Sequence, residues 1–138
     1  MKELTVAATL EAVVEVQAFV EEELERVGVS PSAMIQISIC VEEVYVNIAH
    51  YAFGSEIGEA NIRCTIEENP LRVTLQFLDS GKPFDPLAKE DADITLAAEE
   101  RRIGGLGILM VKKSMDTVTY TRENGKNILI LHKILEET

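Results

Sequence analysis

Between residues 10 and 27 the apolar positions Leu10, Val13, Val14, Val16, Phe19, Val20, Leu24 and Val27 recur at intervals of three and four. Glu15, Glu21, Glu22, Glu23, Glu25 and Arg26 take most of the places between them. That period predicts an amphipathic helix lying on a core. Thr9 stands where a capping hydroxyl is wanted, and Gly28 where a helix stops. Ser30-Pro31 then opens a second helix, with a capping hydroxyl followed by proline at the first helical position. It runs to about Phe53, before Gly54. Within it Ile37, Val41, Val44, Ile48 and Tyr51 gather on one broad face, while Ile35, Ile39 and Val46 form a narrower stripe nearly opposite. A helix that is apolar on two sides is expected to be largely buried.

After Gly58 the period falls to two. Ile62, Cys64 and Ile66 alternate with Asn61, Arg63 and Thr65; Asn69-Pro70 turns the chain; Leu71, Val73, Leu75 and Phe77 alternate with Arg72, Thr74 and Gln76. This predicts an antiparallel hairpin with one face buried. A second hairpin runs from Thr117 to Arg122, turns at Asn124-Gly125 and returns from Asn127 to Leu135. Leu4 to Ala8 is a short opening strand, and Leu106 to Ser114 resumes helical spacing. Between the hairpins, residues 82 to 103 hold two prolines and many charges, with only Ile94 to Ala98 as a helical turn. They read as a long mobile loop, and loops of that length in a compact domain are usually functional. Strands set on one side of a helical layer predict an α+β, two-layer sandwich.

A chain of 138 residues is the size of one domain, so residues 1–138 are expected to share one core. The net charge of -11 argues against nucleic acid as a partner, because releasing phosphate counterions needs an excess of Lys and Arg. It also disfavours anionic membranes and suits basic protein surfaces. No stretch approaches the roughly 20 apolar residues that span a bilayer, and the N-terminus lacks a basic segment followed by an apolar run, so the cytoplasm is the expected compartment. Cys40 and Cys64 lack metal-ligand spacing and read as small core residues.

Three short stretches carry candidate chemistry. Glu43 and Asn47 lie one turn apart in the sector between the two apolar stripes of the second helix. A buried amide and carboxylate there must find partners or leave polar groups unpaired, at a cost of about 1–3 kcal/mol for the neutral group and more for the charge. Asp79 lies just past the end of a predicted strand, two residues before Gly81. A carboxylate there can accept a hydrogen bond from adenine's exocyclic amine, where guanine has a carbonyl, and Gly81 would let a flat base approach the backbone. The same string, Asp79-Ser80-Gly81-Lys82-Pro83, also makes an ordinary turn. Gly104-Gly105-Leu106-Gly107 opens a helix, where amide N–H groups and the helix N-terminus favour an anion. Arg101 and Arg102, just before it, either reach phosphate oxygens or only solubilise the loop.

Taken together and in this order, the three stretches closely resemble the anti-sigma-factor serine kinases of bacterial partner-switching systems, within the histidine-kinase-like (GHKL) ATPase superfamily. Val41 to Asn47 is similar to the asparagine box, Asp79 to Asp85 to the first glycine box, and Gly104 to Ile108 to the second. The resemblance implies an ATP-binding (Bergerat) fold, its mostly antiparallel mixed sheet covered on one face by about three helices. It implies ATP and Mg²⁺ as cofactors, with Asn47 as the metal ligand and Glu43 as general base. Asp79 would read the adenine amine and Gly81 make room for the base. Arg102, Gly104, Gly105, Leu106 and Gly107 would hold phosphate under a lid running from about Pro86 to Ile103. The implied activity is phosphorylation of a serine on a small anti-anti-sigma protein, alternating with capture of a sigma factor, in a possible homodimer. The alternative is a nucleotide-binding module that sequesters a partner without phosphotransfer. His50 lies three residues after Asn47, and Tyr51 takes the fourth place, where many relatives have histidine; no role follows for His50. Glu42 competes with Glu43 as base, but the i, i+4 spacing puts Glu43 on the side of Asn47. His132, in an alternating strand, reads as structural.

Overall fold

The two hairpins and the opening strand assemble into one five-stranded sheet in the order β1-β2-β3-β5-β4. The strands are β1 (Lys2–Ala7), β2 (Glu59–Glu67), β3 (Arg72–Asp79), β4 (Thr117–Glu123) and β5 (Lys126–Ile134). The computed structural model describes residues 1–51, 58–88 and 106–135. All four strand pairings are antiparallel, so the expected mixed sheet is corrected to a uniform one. β3 finds β5 rather than β4 as its partner, with Asp79 opposite Asn127 and Leu75 opposite Leu131. At the tip of the second hairpin Asn124 and Gly125 have φ of 52° and 75°, the left-handed pair that a two-residue hairpin turn needs.

The alternation sends Ile62, Cys64, Val73, Leu75, Phe77, Leu129 and Leu131 to one face of the sheet, each at most 6% exposed. Among the described residues three helices cover that face: α1 (Val13–Arg26), α2 (Pro31–Tyr51) and α3 (Leu106–Ser114). α1 supplies Val16, Val20 and Leu24 to the core, α2 supplies Ile37, Val41, Val44 and Tyr45, and α3 supplies Val111. A 3₁₀ turn, Leu10–Ala12, precedes α1. Thr9 has the extended backbone of a capping residue, but its hydroxyl makes no cap; the Ala12 N–H is satisfied by the Thr9 carbonyl at 3.2 Å. Ser30 does cap α2, its Oγ accepting from the Ala33 N–H at 3.1 Å.

α2 is not buried on two sides. Its broad face enters the core, but Ile35 and Ile39 on the opposite stripe are 62% and 40% exposed. Periodicity groups residues on a face without supplying a neighbour for it, and no described element covers this one. At 21 residues, with an apolar 18-residue window, α2 is long and apolar enough by length and composition to cross a bilayer, which corrects the expectation that no stretch is. Its buried side chains pack into the same core as the sheet, as those of a central helix do. Tyr45 ties it to the chain's beginning: the phenol hydroxyl lies 3.0 Å from the Ala7 carbonyl oxygen and 2.7 Å from that of Thr9.

A candidate nucleotide pocket between α2 and the end of the sheet

α2, the C-terminal end of β3 and the N-terminal end of β5 converge on a mainly apolar pocket lined by Val44, Asn47, Ile48, Phe77, Phe84 and Leu129, with Asp79 and Asn127 at its polar end. The convergence follows from register. Asp79 closes β3 and Asn127 opens β5 directly opposite it, while α2 crosses the same end of the sheet. Phe84 forms one wall and stacks on Tyr51, ring centroids 4.8 Å apart and planes inclined by 24°.

The polar atoms of this pocket fall into two groups. Asp79 is 5% exposed, and its Oδ1 accepts from the Gly81 N–H and the Asn127 Nδ2, both at 2.9 Å. Oδ2 has no hydrogen-bond partner among the described residues. Asn47 is likewise 5% exposed, and its amide finds no partner among them. Native proteins leave few buried polar side chains unpaired, since each costs about 1–3 kcal/mol. Two such groups in one pocket mark where a ligand's donors and acceptors belong.

Glu43 sits one turn before Asn47 and faces α3. It presses on the first turn of that helix: a Cβ built on Gly107 would lie 2.0 Å from Glu43 Oε2 and 2.8 Å from its Cδ. Any side chain at position 107 would therefore require the Glu43 carboxylate to move. Burial pushes the Glu43 carboxyl above its ordinary value, and the neighbouring Glu42 charge pushes it further in the same direction. Glu42 itself is exposed.

The structure thus brings together Glu43, Asn47, Asp79, Gly81 and Gly107. Gly81 is buried beside the pocket, and its N–H donates to Asp79 Oδ1. Leu106 is the first residue of α3. Arg102, Gly104 and Gly105, most of the expected lid and the helical turn at 94–98 lie outside the described residues; of the lid, Pro86–Ala88 forms a 3₁₀ turn. His50 is exposed, its ring centroid 6.2 Å from that of Tyr51, and His132 bonds Thr74 through Nδ1 at 3.0 Å. Cys40 and Cys64 are buried core residues, and no cluster of three or more metal-ligating His, Cys, Asp or Glu occurs among the described residues.

Sequence reasoning missed Asn127, with Tyr120 and Arg122 around it. Tyr120 and Arg122 both reach Asn127 Oδ1, the guanidinium at 3.1 Å, and Arg122 also donates to the Gly81 carbonyl at 2.7 Å. A signal was available: Asn127 shares the parity of Leu129 and Leu131, so the alternation places an amide on the core face.

Comparison with known proteins agrees with this geometry. The histidine kinase-like ATPase domain family matches residues 6–133. A serine-protein kinase RsbW of Listeria monocytogenes is 32% identical over 117 residues, covering 81% of this chain and 73% of that protein. The serine/threonine-protein kinase BtrW of Bordetella bronchiseptica is 26% identical over 95 residues, covering 69% and 66%. Among solved structures, the RsbU and RsbW domains of a Mycobacterium tuberculosis protein superpose with a TM-score of 0.66 at 15% identity, covering all of this chain but only 34% of that one. A chain of the Pseudomonas aeruginosa SiaB-SiaC complex gives 0.55 at 17% identity, covering 95% of this chain and 89% of that one. The structural likenesses speak for the fold, and the sequence matches for descent. The chain belongs to the histidine kinase-like ATPase domain family and, within it, to the kind of domain found in the RsbW serine-protein kinases.

Proposed function

We propose that this domain binds ATP with Mg²⁺ and transfers the γ-phosphoryl group to a serine of a small anti-anti-sigma protein, holding a sigma factor in the alternate state. The observation that carries the nucleotide reading is that Asn47 and Asp79 Oδ2, both buried and both at one mainly apolar pocket, have no hydrogen-bond partner among the described residues. An adenine amine suits the free carboxylate oxygen, and the apolar walls suit the ring. The Asn47 amide oxygen is a hard donor of the kind Mg²⁺ accepts, and a site with one protein ligand fits an ion that keeps waters and shares phosphate oxygens. When bound, the ion would neutralise charge on the phosphates.

Glu43 is the base in this reading. Its raised carboxyl pKa favours taking a proton from a serine hydroxyl as that oxygen bonds to the γ-phosphorus and the bond to ADP breaks. Gly107 keeps the carboxylate at the N-terminus of α3, beside the turn where phosphate would lie.

Calorimetric titration with ATP and Mg²⁺, alongside GTP and the Asn47→Ala variant, tests the pocket. Saturable binding that prefers ATP and weakens in the variant is expected; no binding of either nucleotide refutes the reading. Transfer to a cognate antagonist, lost in Glu43→Ala with binding retained, tests the kinase. Absence of transfer by the ATP-bound wild type would leave a binding module.

A further inference from the structure

We propose that Asn127 is a positioning residue that sets the polarity of base recognition: it occupies Oδ1 of Asp79 and leaves Oδ2 as the acceptor for a purine's 6-amino group. The inference rests on the nucleotide reading above and adds the source of its base specificity.

Asn127 is 5% exposed and is held from three segments. Its Nδ2 donates to Asp79 Oδ1 at 2.9 Å and to the Lys82 carbonyl at 2.8 Å, using both amide hydrogens. Its Oδ1 faces the Tyr120 hydroxyl, the Arg122 guanidinium at 3.1 Å and the Phe84 N–H at 3.3 Å. A guanidinium and a backbone N–H only donate, whereas a carboxylate and a carbonyl only accept. Inverting the amide would set oxygen against two acceptors and hydrogens against two donors, so its orientation is fixed by its surroundings.

That orientation fixes Asp79 in turn. Oδ1 holds the Gly81 N–H and the Asn127 amide together, and rotating the carboxylate out of its plane breaks both bonds. Oδ2 remains as the acceptor. The amide that aims Asp79 also binds Lys82 and Phe84, and Phe84 is a wall of the same pocket. Aiming the acceptor and placing the wall are therefore one arrangement, which a residue merely stapling the loop would not require.

The test compares ATP with purine riboside 5′-triphosphate, which lacks the 6-amino group, by calorimetry with Mg²⁺ on wild type, Asn127→Leu and Asn127→Ala. Wild type is expected to prefer ATP by about 10- to 100-fold, the worth of one hydrogen bond to a charged acceptor. In both variants the preference is expected to fall to within about threefold, with the amine-free analogue bound nearly as well as by wild type. Should Asn127→Leu fail to fold, Asn127→Ala removes the same donor without adding bulk or charge, and reads the same ratio. Affinities for the two nucleotides that drop in parallel, with the preference intact, overturn the proposal and leave Asn127 a structural residue. Wild type that binds both equally overturns it while the pocket stands. Wild type that binds neither overturns the nucleotide reading and this inference with it.

Discussion

Replacing Gly107 by alanine is expected to separate phosphoryl transfer from stability. The added Cβ would stand 2.0 Å from Glu43 Oε2, 2.8 Å from Cδ and 3.4 Å from Cγ. Carbon and oxygen sit comfortably at roughly 3.5 Å, so the carboxylate must retreat by about 1.5 Å. The obstructing atoms are the far end of a flexible side chain, and Glu43 can swing without moving the backbone. Alanine in a helix gains about 0.5–1 kcal/mol over glycine, and forcing the Glu43 side chain off its preferred rotamer costs about 0.5–1.5 kcal/mol. The two nearly cancel, and thermal unfolding is expected within a few degrees of wild type. Transfer is another matter: a base displaced by more than 1 Å loses on the order of 100-fold, and a general base contributes about 10² to 10⁴ in all. The assay is single-turnover transfer of γ-³²P from saturating ATP to the antagonist. A fall of about 100-fold or more is expected, with ATP affinity changing far less. On a Glu43→Gln background the alanine should add almost nothing, because both changes act through one group. Wild-type transfer rates in Gly107→Ala, or losses that multiply in the double variant, would refute the reasoning.

Three further outcomes follow from named contacts. Because the Glu43 carboxyl titrates above its ordinary 4.5 in the folded protein, its ionisation opposes folding: below that value both states are protonated and nothing is lost, and the penalty grows as pH rises through the folded pKa. The stability difference between Glu43→Gln and wild type, measured by urea unfolding, is therefore expected to grow from pH 4 to 7; a difference that shrinks with pH contradicts the burial argument. Tyr45→Phe removes the hydroxyl shared by the Ala7 and Thr9 carbonyls and is expected to lower stability by about 1 kcal/mol with nucleotide affinity unchanged; equal stability would mean water replaces it. Burial pushes the Cys64 thiol up to about 11, with Glu23 adding to the rise, and raises Cys40 also. A thiol reagent at pH 7 should therefore label both cysteines only after denaturation, and prompt labelling of the folded protein would show that one of them is reached by solvent.

Much of this domain is written in short-range pattern. The Leu106–Ser114 helix, both hairpins, the Ser30 cap and the two-residue Asn124-Gly125 turn depend on local periodicity and backbone preference, and they appear where the pattern sets them. Glu43 and Asn47 are neighbours on one flank because i, i+4 is a property of any helix. Asn47 and Asp79, which line one pocket in the folded chain, also stood out in the sequence as members of an ordered set of boxes.

Other features came only with the third dimension, and each involves a partner distant in sequence. The stripe Ile35, Ile39 and Val46 has a helical period, but whether it is covered depends on what packs there; Ile35 and Ile39 are left largely exposed. The uniformly antiparallel sheet comes from β5 inserting between β3 and β4, a choice of neighbour that alternation does not encode. Gly107 looks like one more phosphate-loop glycine until the carboxylate from α2 is seen against it. Asn127 is 48 residues from the aspartate it orients. Sequence determined the elements and the kinds of group available, because propensity and periodicity are local. Tertiary structure alone decided which groups are buried, paired or left open for a ligand, because those properties belong to contacts between segments that meet only when the chain has folded.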